Sequence, residues 1–171
     1  MRVLLQKVSS ASVRVEAEGA LPESVGFNAR PETERSIGAG LVLFVGVQDA
    51  DDEADVRWMA KKVAQMRIFA DSGDTDGAGK AGRMNRSVLD VGGSVLSVSQ
   101  FTLYANIRRG NRPSFVEAGE PGHAREVWEM FGRVLRDEYG LRVVSGVFGA
   151  HMDVALVNDG PVTIWLDSAA R

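Results

Sequence analysis

The stretch NDGPVTIWL (158–166) decides how the sheet of this protein ends. Its second half, VTIWL (162–166), is rich in β-branched and aromatic residues and reads as a strand. In front of it stand Asn158, Asp159, Gly160 and Pro161. Asn, Asp and Gly tolerate unusual backbone angles, and Pro fixes φ and lacks an N–H. Two readings are open. One is a plain hairpin turn between the strand DVALV (153–157) and VTIWL. The other is a backbone held in a demanding shape for use on a ligand.

Upstream of it, LRVVSGVF (141–148) reads as a further strand, and HAREVWEMFGRVLRDEYG (123–140) as a helix. The helix turns Val127, Met130, Phe131, Val134 and Leu135 inward and stops at Gly140. NIRRGNRPS (106–114) is a basic loop, and SVLSVSQFTLYA (94–105) a strand. A second helix is clearest over 51–69. There Val56, Met59, Ala60, Val63 and Met66 fall at helical spacing, with acidic residues at the N-terminal end. Trp58 and Trp128, on the two helices, read as core. LVLFVGV (41–47) is short, continuous and apolar, so a buried strand. Residues 17–38 are polar and contain Pro22 and Pro31, so they read as a long loop. Residues 2–8 and 11–16 alternate as two strands, with Val13 and Val15 on one face and Ser12 and Arg14 on the other. Strands, helix, strand, helix, strands: this order predicts an α+β fold with a mixed or antiparallel sheet and two main helices.

A chain of 171 residues suits one domain over 1–171. The absence of Cys excludes disulfides and cysteine-bound metal. No apolar run approaches the ~20 residues of a membrane span, and MRVLLQKVSS is interrupted too early to be a signal peptide. A net charge of −3 argues against a protein that coats nucleic acid by bulk charge, though a local basic patch remains compatible.

Several motifs fail on inspection. DSGDTDGAGKAG (71–82), read as a calcium loop from Ser72, supplies Asp74, Asp76 and Gly77 but has Ser72 and Arg83 where carboxylates belong. Read as a phosphate loop ending in Gly79 and Lys80, it has Asp74 for the first glycine and Ala81 for Ser or Thr. His123 and His151 are too few for zinc. No G-x-S-x-G elbow supports a serine triad, and His123, at a helix start, is expected to be solvated.

Other residues carry more. Ser99, Gln100, Phe101 and Thr102 close an otherwise apolar strand, and buried polar groups need partners. Thr102 reads either as an ordinary strand residue or as a nucleophile, which needs an adjacent base that is not evident. Alternatively the strand end offers main-chain N–H groups to an oxyanion. Arg108, Arg109 and Arg112 around Gly110 read either as a solvated loop or as a phosphate grip.

Taken together, SQFTLYA, RRGNRPSF and NDGPVT resemble the D-aminoacyl-tRNA deacylase family, as do MRVLLQKVSSASVRV, MNRSVLDVGG and FGAHMDVALVNDGPVT. The likeness covers nearly the whole chain outside 17–36 and 71–82. Lys7 stands where that family usually has Arg, and His151 follows FGA where other residues are commoner. The resemblance implies a homodimer with a barrel-like sheet and active sites at the subunit interface. It implies a cis Gly160–Pro161 pair that reaches into the other subunit's pocket and excludes L side chains. It implies hydrolysis of D-aminoacyl-tRNA, and of mischarged glycyl-tRNA, with main-chain N–H groups at Phe101 and Thr102 and the RNA's own 2′-hydroxyl assisting. Arg108, Arg109, Arg112 and Phe148 become candidates for holding substrate and tRNA. No cofactor, metal, membrane or DNA is expected, and the location expected is cytoplasmic. Two rival readings are a Thr- or Ser-based esterase acting on small molecules and a non-catalytic RNA-binding module.

Overall fold

A computed structural model describes residues 1–15, 35–71 and 83–171. Most of the loop expected over 17–38, and the 72–82 stretch of the failed calcium and phosphate motifs, lie outside the described residues. The elements in order are β1 (Arg2–Val15), β2 (Arg35–Ile37), β3 (Gly40–Gly46), α1 (Glu53–Gln65), β4 (Phe69–Ala70), β5 (Met84–Arg86), β6 (Ser94–Ser99), a 3₁₀ turn (Phe101–Tyr104), α2 (Pro121–Asp137), β7 (Arg142–Ser145), β8 (Met152–Asp167) and a last 3₁₀ turn (Ser168–Ala170). The fold is α+β with a mixed sheet. β1 runs antiparallel to β2, β3 and β8, whereas β3–β6 and β6–β7 are parallel.

Two pairs of expected strands turn out to be single ones. The strands expected over 2–8 and 11–16 form one β1, and those over 153–157 and 162–166 form one β8. The two pair with each other almost end to end, from Arg2 opposite Asp167 to Val15 opposite Met152. NDGP is therefore no hairpin turn. Its residues form a bulge in a strand that continues.

The bulge has a packing consequence. Leu41, Leu43 and Val45 of β3 face one core and Val42 the other, so the two cores lie on opposite sides of the sheet. In β1, Val3 and Leu5 face the first core, whereas Ala11 and Val13 face the second. Strict alternation puts all four on one side. Register shifts between Gln6 and Val8, and between Val8 and Ser10, move the far half to the other face. β8 follows: Val162 packs in the first core, and Met152, Val154 and Leu156 pack against the second.

The first core lies between the sheet and the helices. Val56, Met59, Ala60 and Val63 of α1 and Val127, Phe131, Val134 and Leu135 of α2 are buried in it, and Trp128 with them. Trp58 and Met130 are only partly buried. α1 is shorter than expected at both ends. Asp52 and Asp55 cap it reciprocally, and Met66 turns to extended angles, which frees Phe69 to join β4. α2 starts earlier than expected, at Pro121, because the Glu120 carboxylate accepts from the N–H groups of Gly122 and His123. Those bonds hold its carboxyl below the usual glutamate range. His123 is not solvated as expected: its Nε2 is buried and lacks a hydrogen-bond partner. Gly140, at φ +67°, ends the helical stretch by donating to the Arg136 carbonyl.

The second core fills the inside of a nearly closed barrel. Arg35 closes it by donating from its guanidinium to the carbonyls of Ser145 (2.6 Å) and Gly146 (2.8 Å), which draws β2 toward β7. Residues 35–37 are thus strand where loop is expected. Among the described residues no helix is long and apolar enough to cross a membrane.

Candidate active site

β6 does not run to residue 105. Its ladder with β3 ends at Ser99 opposite Val45, and the Gln100 N–H makes the last bond, to the Val45 carbonyl at 2.7 Å. The chain then winds into the 3₁₀ turn at Phe101–Tyr104 and lies across the end of β3. Gly46 leaves the room for this. A Cβ there meets the Gln100 carbonyl at 3.1 Å and the Leu103 and Tyr104 side chains at 3.2 Å. Arg2 fastens the far end of the turn: it donates to the Leu103 carbonyl at 3.0 Å, pairs with Asp167 at 3.1 Å and lies over the Tyr104 ring. Burial pushes the Tyr104 hydroxyl well above the usual tyrosine range.

The start of such a turn has N–H groups without acceptors in the helix. No hydrogen bond among the described residues uses the N–H of Phe101 or Thr102. The Thr102 hydroxyl accepts from the Gln100 side-chain amide at 2.5 Å. An amide does not take up a proton, so this partner does not activate the hydroxyl.

The turn borders a cleft of about 600 Å³. Of the site residues expected from the sequence, Thr102 does not line it, whereas Ser99, Gln100, Phe101 and Phe148 do. So do Phe115 and His151, which the sequence reading left without a role. Phe115 packs edge-on against Phe101, with centroids 5.1 Å apart. Phe148 leans on Trp128, whose indole N–H is anchored to the Ser97 hydroxyl at 2.9 Å. The signal for Phe115 was its place directly after RRGNRPS. For His151 it was an unusual residue after FGA.

Arg108, Arg109 and Arg112 do not line this cleft. All three are exposed on a loop closed where Asn106 bridges to Ser114, and the Asn106 side chain accepts from the Arg108 N–H at 3.1 Å and donates to Glu117 at 3.2 Å. Gly160 and Pro161 do not line it either. They are exposed on the bulge of β8, and the peptide between them is cis. Asn158 staples the bulge from within. Its side chain accepts from the Val162 N–H at 3.1 Å and donates to the Thr163 hydroxyl at 3.0 Å, which also accepts from Gln6 at 3.3 Å. Lys7 bears on the same segment: its buried ammonium pairs with Asp159 at 3.1 Å and sits over the Phe69 ring.

The family model described as "D-Tyr-tRNA(Tyr) deacylase" matches residues 4–167. This chain belongs to that family. The "D-aminoacyl-tRNA deacylase" of Thermomicrobium roseum is 56% identical to it over 169 residues, covering 99% of this chain and 95% of the relative. The protein of the same name from Bifidobacterium animalis subsp. lactis is 51% identical, covering 98% and 97%. Among solved structures, one titled "c-Myc DNA Unwinding Element Binding Protein" is 31% identical, with a TM-score of 0.77 over 98% of both chains. Another, of "a probable eukaryotic D-amino acid tRNA deacylase", shares the fold at 16% identity, with a TM-score of 0.71 over 96% and 97%. SQFT and NDGPVT fall inside the matched region.

Proposed function

We propose that this protein hydrolyses the ester joining a D-amino acid to the 3′ ribose of tRNA, and that of mischarged glycyl-tRNA as well. The observation that carries the reading is the pair of unused N–H groups at Phe101, which lines an aromatic cleft, and at Thr102 next to it, in a member of the D-Tyr-tRNA deacylase family. As water adds to the ester carbonyl, negative charge grows on its oxygen, and fixed N–H donors there lower the barrier. Collapse of the tetrahedral species expels the ribose 3′ oxygen, which takes up the proton lost by water. The products are free amino acid and tRNA. With the Thr102 hydroxyl bound to an amide, the 2′-hydroxyl of the terminal ribose relays that proton.

Chirality is read by the backbone at Gly160 and Pro161, acting across a homodimer. What supports this is where they stand: on an exposed bulge, outside the cleft of their own chain, on a strand that also exposes Val157 and Trp165. A two-fold pair brings each bulge to the other chain's cleft, and its carbonyls collide with an L side chain while hydrogen fits. Arg108, Arg109 and Arg112 grip the acceptor end. The protein acts in the cytoplasm, where its substrate is made.

The deciding experiment measures amino-acid release from D-Tyr-tRNA, L-Tyr-tRNA and D-Tyr ethyl ester. Release from D-Tyr-tRNA alone is expected. Turnover of the ethyl ester favours a small-molecule esterase, and binding of tRNA without release favours an RNA-binding module. Because one similar protein is titled for DNA binding, a duplex-DNA competitor belongs in the assay, and it is expected to leave the rate unchanged.

A further inference from the structure

A second groove, of about 550 Å³, runs between α2 and β7. Arg35, Arg125, Arg133 and Arg136 line it against a single acidic residue, Glu129. It meets the active-site cleft at Trp128 and Phe148, which line both. On α2, residues 125, 129, 132, 133 and 136 recur at helical spacing along one face. From Arg125 to Arg136, eleven rises of ~1.5 Å make this basic wall about 16 Å long.

The arginines are not equivalent. Arg35 is committed to the carbonyls of Ser145 and Gly146, and Arg125 lies over the Phe148 ring at 5.6 Å. Arg133 and Arg136 are exposed, and no ion pair among the described residues engages either. On the same face Gly132 is buried in mid-helix, a position where glycine weakens a helix. There it keeps the floor low: a Cβ reaches to 3.4 Å from the Arg136 guanidinium. Positive charge, a concave floor and continuity with the cleft occur together.

We propose that this groove carries the sugar–phosphate backbone of the tRNA away from the cleft, past Phe148 and Arg125 and on to Arg133 and Arg136. The inference rests on the deacylase reading above. Guanidinium groups suit this ligand because they pair bidentately with phosphate and stay charged. The chain's overall charge of −3 makes a concentrated basic groove the more useful, since bulk attraction is absent.

The test is the double variant Arg133→Gln/Arg136→Gln, which leaves Arg35 and Arg125 in place. Three quantities are measured: affinity for uncharged tRNA across a salt series, KM and kcat on D-Tyr-tRNA, and hydrolysis of the D-tyrosyl ester of adenosine, which keeps the ribose but has no phosphate. Affinity and KM are expected to worsen about tenfold with kcat retained. The slope of log affinity against log salt is expected to flatten by roughly 0.7 to 0.9 per lost phosphate contact. The adenosine ester is expected to turn over unchanged, and Lys at both positions to restore most of the affinity. Unchanged affinity and salt slope overturn the proposal. So does an equal loss on tRNA and on the adenosine ester, which assigns the arginines to the fold of the cleft. Uncharged tRNA binds without hydrolysis, so the groove is tested even if wild-type protein cleaves neither ester.

Discussion

Two polar interruptions of apolar strands behave in opposite ways. SQFT ends β6: the chain leaves the ladder after Gln100 and winds into a 3₁₀ turn. NDGP does not end β8. From Gln6 to Val8, β1 advances two residues while β8 advances five, from Asn158 to Thr163, and then the pairing resumes. β6 stops because β3, its partner, stops at Gly46. β8 continues because β1 continues. The turn borders a cleft in its own chain, and the bulge is exposed and does not line it. Whether an irregular segment ends a strand depends on its partner, not on its own residues.

The contrast breaks most sharply at Gly160. Its φ of +125° is one that L side chains rarely adopt, and a Cβ there lies 2.8 Å from a Val162 methyl. Gly160→Ala puts strain of about 1–3 kcal/mol on the bulge. Deacylation of D-Tyr-tRNA is expected to fall by up to about a hundredfold, with the β1–β8 pairing retained by circular dichroism. Wild-type rates in this variant mean that the shape of the bulge has no part in the reaction.

Asn158 gives a middle-sized effect. Asn158→Ala removes both bonds that staple the bulge. It is expected to lower stability by about 1–2 kcal/mol, read from the urea midpoint, and to slow deacylation about tenfold. Asn158→Asp keeps the acceptor for Val162 and loses the donor to Thr163, so it is expected to fall between the two. Equal stability of all three proteins sinks the staple.

The smallest effect is expected at Thr102. If the turn works through its N–H groups, Thr102→Ala keeps the rate within about tenfold, under ~1.4 kcal/mol of barrier. A thousandfold loss in a folded variant restores the hydroxyl as nucleophile.

Much of this was legible in advance. Both helices announced themselves through apolar spacing of three and four residues; their starts moved to where Asp52 and Glu120 cap them, and their ends fell three to four residues short, at Gln65 and Asp137. The buried strand at 41–47 was plain from its continuous apolar run. SQFT and NDGPVT stood out because polar and turn residues next to apolar strands need a reason, and both are irregular in the fold. Phe115, His151 and the staple by Asn158 were not foreseen, because each depends on a neighbour distant in sequence or on a side chain's direction. Arg125, Arg133 and Arg136 were not foreseen for the same reason: the crowding of Arg108, Arg109 and Arg112 is visible in the sequence, whereas three arginines spread along a helix share a groove only in the fold.

The sequence by itself determined the helices, the apolar strands, the fold class and the family, because periodicity, capping and motif are written in residues close together along the chain. Only the tertiary structure decided that β1 and β8 are each one strand, that β6 stops at Ser99, that 35–37 pairs with 11–13, and which charges share a groove. These are facts of register and partnership. A ladder bond is made between residues as far apart as Arg2 and Asp167, and no local pattern records which partner will lie alongside or where it will end.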